Sequence, residues 1–129
     1  MTEKFAEING IIICYEIRGQ GEPIVLVHGF GSSKETWLAQ APVLSKYYKV
    51  ITLDNRGAGK SERPNKKYSM ETFSDDIQGL LDHLKIPKAK AVLGWSLGGM
   101  IVQHFALKYP DRAEKIGLLF TNYKGTGGE

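Results

Sequence analysis

Apolar residues along this chain fall first into short unbroken runs and then into helical spacing. Pro23-Ile24-Val25-Leu26-Val27, Val50-Ile51-Thr52-Leu53 and Ala89 to Leu93 are continuous aliphatic runs of strand length. Such runs mark strands buried on both faces of a parallel sheet. Before them, Phe5 to Ile8 and Ile11 to Ile17 flank Asn9-Gly10, a pair suited to the positive φ angles of a two-residue hairpin turn. Ser32 with Glu35 predicts a capping box for a helix from about Lys34, interrupted at Pro42. Ser69 caps the next helix, with Tyr68 and Phe73 spaced as a hydrophobic staple. Met70, Phe73, Ile77, Leu80, Leu81 and Leu84 share one face of it, and Asp75, Asp76 and Asp82 form its polar face. Ile86-Pro87 ends it. The run after Ser96 is apolar nearly all round and predicts the most buried helix, stopped at Tyr109-Pro110. Ile116 to Phe120 reads as a last strand. Strands alternating with helices argue for an α/β fold, a mostly parallel six-stranded sheet with helices on both faces.

Composition narrows the picture modestly. With 129 residues, 42% apolar and 24% charged, the chain makes one soluble domain. Residues 1–123 are expected to form it, with 124–129 a glycine-rich flexible tail. The net charge of +3 is mild and scattered, which argues against nucleic-acid binding. Cys14, the only cysteine, sits in an apolar run and reads as a buried, inert thiol. With no internal disulfide, leader pattern or membrane-length apolar run, the reading is a cytoplasmic protein without a membrane partner.

The chemistry concentrates in Gly94-Trp95-Ser96-Leu97-Gly98-Gly99. A serine between two glycines at a strand-to-helix turn is the recipe for a nucleophile elbow, with its hydroxyl pushed outward. Glycines two before and two after remove Cβ atoms that would collide across the turn. The helix start behind it offers free N–H groups and a positive dipole end to a developing oxyanion. A second glycine string, Gly57-Ala58-Gly59-Lys60-Ser61, mimics a phosphate loop. It fails the pattern, because Asp54 stands where the first glycine belongs and Pro64 follows where a helix would open. It reads as a structural loop near the active-site floor.

Three segments together resemble the α/β-hydrolase family: His28-Gly29-Phe30-Gly31-Ser32 after the third strand, Asp54-Asn55-Arg56-Gly57-Ala58-Gly59-Lys60-Ser61 after the fourth, and the Ser96 elbow after the fifth. Within that family the chain looks most similar to small esterases, enol-lactonases and perhydrolases. The resemblance implies Ser96 as nucleophile and the backbone N–H groups of Phe30 and Leu97 as oxyanion donors. Gly29, Gly31, Trp37 and Trp95 are the candidates for the substrate pocket. The implied reaction is hydrolysis of a small-molecule carboxylic ester or lactone, and it needs no metal or organic cofactor.

The chain departs from the family where the base should be. The fold usually has eight strands, with the acid and the histidine after the later ones, and only six are legible here. His28 reads as ordering its loop, and His83 as a solvated residue near a helix end. His104 lies eight residues after Ser96, roughly 12 Å along the same helix. Asn122 is the nearest candidate for an acid after strand six, and Glu129 the only carboxylate beyond it. The expectation is therefore an N-terminal portion of the fold, lacking the last strands, the lid, the triad acid and the histidine, and inactive or very weak alone. The alternative is a non-catalytic half-domain or subunit whose open sheet edge is covered by its own copy or by a complementing C-terminal chain.

Overall fold

The computed structural model describes residues 3–119. The boundary expected at residue 123, the tail 124–129, Asn122 and Glu129 lie outside the described residues. Six strands form one sheet: β1 (Lys4–Ile8), β2 (Ile11–Arg18), β3 (Pro23–Val27), β4 (Lys49–Leu53), β5 (Ala89–Trp95) and β6 (Ala113–Leu119). Their order across the sheet is β1-β2-β4-β3-β5-β6. The β1–β2 and β2–β4 pairs are antiparallel, and β3–β4, β3–β5 and β5–β6 are parallel. The hairpin turn is as the sequence predicts, with Asn9 at φ 50° and Gly10 at φ 83°.

Strand periodicity divides the central apolar runs between two cores. Val25, Val27, Ile51 and Leu53 pack on one face beneath α2 (Met70–His83) and α3 (Leu97–Lys108). Ile24, Leu26 and Val50 pack on the other with Trp37 and Ala41, under a 3₁₀ turn (Lys34–Trp37) and α1 (Gln40–Leu44). Each such side chain contributes about 1.5–3 kcal/mol relative to exposure, so a strand interior on both faces is held from both sides. No helix among the described residues is long and apolar enough to cross a membrane.

Helix ends show where local chemistry was and was not legible. Ser69 Oγ accepts the Thr72 N–H at 3.1 Å, and Tyr68 packs edge-on against Phe73, centroids 5.8 Å apart, so cap and staple both form. The first cap shifts by one residue. Ser33, not Ser32, is the N-cap, and its side chain accepts from Glu35 N–H. Ser32 instead bonds the Thr36 hydroxyl. The chain also breaks ahead of Pro42 rather than at it, because Pro42 sits in the first turn of α1, where its missing N–H costs nothing.

α2 closes in a Schellman motif, Ile86 N–H donating to Leu81 O at 2.9 Å and Lys85 N–H to Asp82 O at 3.0 Å. The left-handed residue this requires is Lys85, at φ 60°, where a side chain is strained. Lys85→Gly should therefore stabilise the fold by about 1 kcal/mol, read as a rise in the urea midpoint with unchanged slope.

α3 is not the most buried helix. Gly98, Gly99, Ile101, Val102 and Phe105 face the sheet, but Leu107 is 83% exposed and His104 is exposed as well. Its apolar far side has no cover among the described residues. On β6, Ile116, Leu118 and Leu119 are likewise exposed.

Candidate active site

The turn from β5 into α3 leaves one residue, Ser96, to reverse the chain. It does so at φ 57°, ψ −122°, a strained conformation for a residue with a side chain. The flanking glycines make the turn sterically feasible. A methyl group on Gly94 would stand 2.6 Å from Gly99 Cα, and one on Gly98 would stand 2.7 Å from His28 O. Both distances are below any real Cβ contact. Ser96 N–H donates to Leu119 O at 2.8 Å, which ties the elbow to β6, while its half-buried hydroxyl makes no capping bond to α3.

The loop after β3 is brought against this elbow. A methyl group on Gly29 would lie 3.1 Å from Trp95 O, 3.2 Å from Leu97 N and 3.4 Å from Ser96 Cβ, tighter than most real Cβ contacts, so the glycine eases the close approach of the two loops. Neither Phe30 N–H nor Leu97 N–H has an acceptor among the described residues. Leu97 is the first residue of α3, where an amide has no partner within the helix.

The 28–34 loop is held from below by residues 54 and 55. His28 is buried, its Nδ1 2.6 Å from Gly29 O and its Nε2 accepting Asn55 N–H at 2.9 Å. Those partners fix the tautomer, with the proton on Nδ1. Asn55 Nδ2 donates to His28 O at 3.1 Å. The Asp54 carboxylate, fully buried, accepts Lys34 N–H at 2.7 Å and Lys60 N–H at 3.0 Å, joining the loops after β3 and β4. Asp54 and Asn55 are thus positioning residues for the 28–34 loop.

Burial holds the His28 imidazole below its ordinary pKa of 6.5, and a proton on Nε2 would face the Asn55 N–H. The folded state therefore binds fewer protons here than the unfolded chain. Stability from this site is present above the unfolded value and is lost as pH falls. Urea midpoints measured at pH 7.5, 6.5 and 5.5 should be level above about 6.5 and decline below it.

Other sequence expectations fare unevenly. His83 is exposed, edge-on to Tyr15, and His104 is exposed on α3, while both ring nitrogens of His28 are taken by Gly29 O and Asn55 N–H, so none of the three histidines is free to serve Ser96. Trp37 is not a pocket residue. It is 1% exposed and forms the centre of the second core, with Trp95 edge-on to it at 6.1 Å. Cys14 is fully buried, and desolvation pushes its thiol up to about 11, as befits an inert group.

Asp76 does not belong to a polar face. It is completely buried and takes a two-point ion pair from Arg56, Nε to Oδ2 at 2.7 Å and Nη2 to Oδ1 at 2.8 Å. Its spacing carried the signal: it stands three residues after Phe73 and four before Leu80, inside the apolar stripe.

A cavity of about 290 Å³ opens between Phe30 and Gly31, the Asn55–Ala58 loop and the first turn of α2, with Tyr68, Met70 and Phe73 in its wall. Of the expected pocket residues only Gly31 lines it. Gly29, Trp37 and Trp95 do not, and neither does Ser96, which packs against Gly29, the residue before Phe30 in the cavity wall.

Residues 22–122 match the family described as alpha/beta hydrolase fold. The chain is 34% identical over 119 residues to a soluble epoxide hydrolase of Corynebacterium sp. (strain C12), covering 92% of this chain and 41% of that protein. It is 35% identical over 104 residues to a pimeloyl-[acyl-carrier protein] methyl ester esterase of Photobacterium profundum, with 81% and 39% covered. Among solved structures, the enol-lactonase from Burkholderia xenovorans LB400 superposes with a TM-score of 0.88 at 35% identity, covering 92% of this chain and 46% of that one. The chain spans less than half the length of each of these relatives.

Proposed function

The chain belongs to the α/β-hydrolase family, and from that premise we propose that it carries the nucleophile and the oxyanion site of a serine hydrolase acting on carboxylic esters or lactones. One observation carries the reading. Ser96 occupies a strained turn that its glycine neighbours permit, and Gly29, the residue before Phe30, packs against Ser96 and the Leu97 amide, with neither the Phe30 nor the Leu97 N–H taken by an acceptor among the described residues.

In the proposed reaction a base takes the Ser96 proton as Oγ attacks the carbonyl carbon. The carbonyl π electrons move onto oxygen, where the Phe30 and Leu97 N–H groups and the α3 dipole receive the charge. Each such donor is worth about 10²–10³ in rate in a complete site. Collapse of the intermediate expels the alkoxide, which takes the proton back from the base, and water then repeats the sequence on the acyl-serine. In a lactone the expelled alkoxide stays tethered to the acyl group.

None of the three histidines in this sequence is placed to serve as that base, because His28 is bonded on both ring nitrogens and His83 and His104 face solvent. The soluble epoxide hydrolase relative suggests a second substrate class, but Ser96 favours a carbonyl. Serine opening of an epoxide would leave an alkyl ether, which has no carbonyl oxygen for these amides to hold.

Added imidazole supplies the test. It should accelerate p-nitrophenyl acetate hydrolysis by this chain well above the imidazole-only rate, and Ser96→Ala should remove the excess. An excess that survives Ser96→Ala would place the reaction elsewhere.

A further inference from the structure

The 290 Å³ cavity beside the Phe30 loop has walls of a definite chemistry, and its loop is the one that packs against Ser96 through Gly29. We propose that it is the specificity pocket for the reaction assigned to Ser96, and that it takes a compact neutral hydrocarbon group, one aromatic ring or a branched chain of similar bulk, carried by the ester or lactone. The assignment of a reaction rests on the reading above; the binding itself does not.

Size sets the first limit. An apolar cavity of about 150 Å³ is enough to hold benzene, so this one has room for a ring with a substituent. The wall chemistry sets the second. Phe30 lies against Phe73, centroids 5.1 Å apart, and Tyr68 stands edge-on to Phe73 at 5.8 Å, which gives a continuous aromatic wall. Met70 completes it with an adaptable, polarisable side chain.

Charge sets the third. Arg56 lines the cavity, but both its Nε and Nη2 are committed to the buried Asp76 carboxylate. Its charge is already answered, so an anionic ligand gains little and loses its hydration. Tyr68 is fixed in turn. Its hydroxyl donates to Pro64 O at 3.1 Å, and its ring fills the space beside Gly57, at φ 81°, where any Cβ would clash with it. The link to Ser96 is through the loop: Phe30, in the cavity wall, directly follows Gly29, which packs against Ser96.

The chain has three methionines, so ¹³C-methyl methionine labelling gives a direct reporter at Met70. Titration with benzyl alcohol should shift the Met70 signal saturably by ring current, with dissociation in the millimolar range expected of about eight heavy atoms. Met1 and Met100 should move far less, and benzoate should bind at least tenfold more weakly than the alcohol. Ala58→Phe, which fills the cavity, should abolish the Met70 shift, while Ser96→Ala should leave it intact. Should Ala58→Phe fail to fold, Tyr68→Ala provides the check by moving the preference at least tenfold toward 2-naphthylmethanol. No saturable Met70 shift, a shift unchanged by Ala58→Phe, or tighter binding of benzoate would overturn the pocket. Met70 binding without covalent reactivity at Ser96 would leave the pocket standing and remove the reaction; Ser96 reactivity without Met70 binding would do the reverse.

Discussion

Asp76→Ala should destabilise the domain by about 3–5 kcal/mol, a large share of the 5–15 kcal/mol that holds a domain of this kind together. The reason is asymmetry. The pair itself contributes modest net energy, because two desolvated charges only offset each other. Removing Asp76 leaves the Arg56 guanidinium 9% exposed, with no carboxylate on Nε or Nη2. It also removes the acceptor that Asn9 Nδ2 reaches at 3.3 Å, which links the first hairpin to α2. Urea unfolding followed by circular dichroism gives the number. The double substitution Arg56→Met with Asp76→Leu should recover most of the loss, since no orphan charge remains. A single-variant cost under 1 kcal/mol would show that the pair is solvated in practice.

The second large effect is at the elbow. In Gly98→Ala the new methyl would meet Val27 O and His28 O, both backbone atoms with no rotamer to yield. Either α3 moves away from the end of β3 or the loop after β3 moves, at about 1–3 kcal/mol for an overpacked contact. Both movements separate Leu97 N–H from Phe30 N–H, so the imidazole-assisted esterase rate should fall by at least tenfold even where the protein remains folded. Thermal melting and the rate on the same sample separate the two effects. A normal rate in a folded Gly98→Ala would mean the two amides do not act together.

Much of this architecture was legible because its signals are local. The Asn9-Gly10 turn, the Ser69 cap with its Tyr68–Phe73 staple, and the aliphatic runs of β3 and β4 each follow from a few neighbouring residues. The glycines around Ser96 were readable for the same reason, since the collisions they avoid lie within the turn or just across it. What escaped was non-local. Trp37 resembles a pocket residue by position, yet its environment is set by β3 and β4 strand faces that come together only in the fold. Asp76 reads as polar surface until Arg56, twenty residues earlier, is placed opposite it. The cavity at Met70 and Phe73 needs the β3 loop, the β4 loop and α2 to converge, and no one segment announces it. The apolar outer side of α3 misled for a related reason: periodicity reports which residues are apolar, not which have neighbours.

The central claim is that Ser96 is a nucleophile held next to two free amides. Covalent trapping tests it most directly. The chain, in imidazole buffer, is treated with a small fluorophosphonate and digested with trypsin. Cleavage after Lys90 and Lys108 releases a peptide in which Ser96 is the only serine. The expected result is a single phosphonyl adduct on that peptide, absent in Ser96→Ala. An unmodified Ser96 peptide, or label spread evenly over exposed serines such as Ser32 and Ser69, would contradict the account.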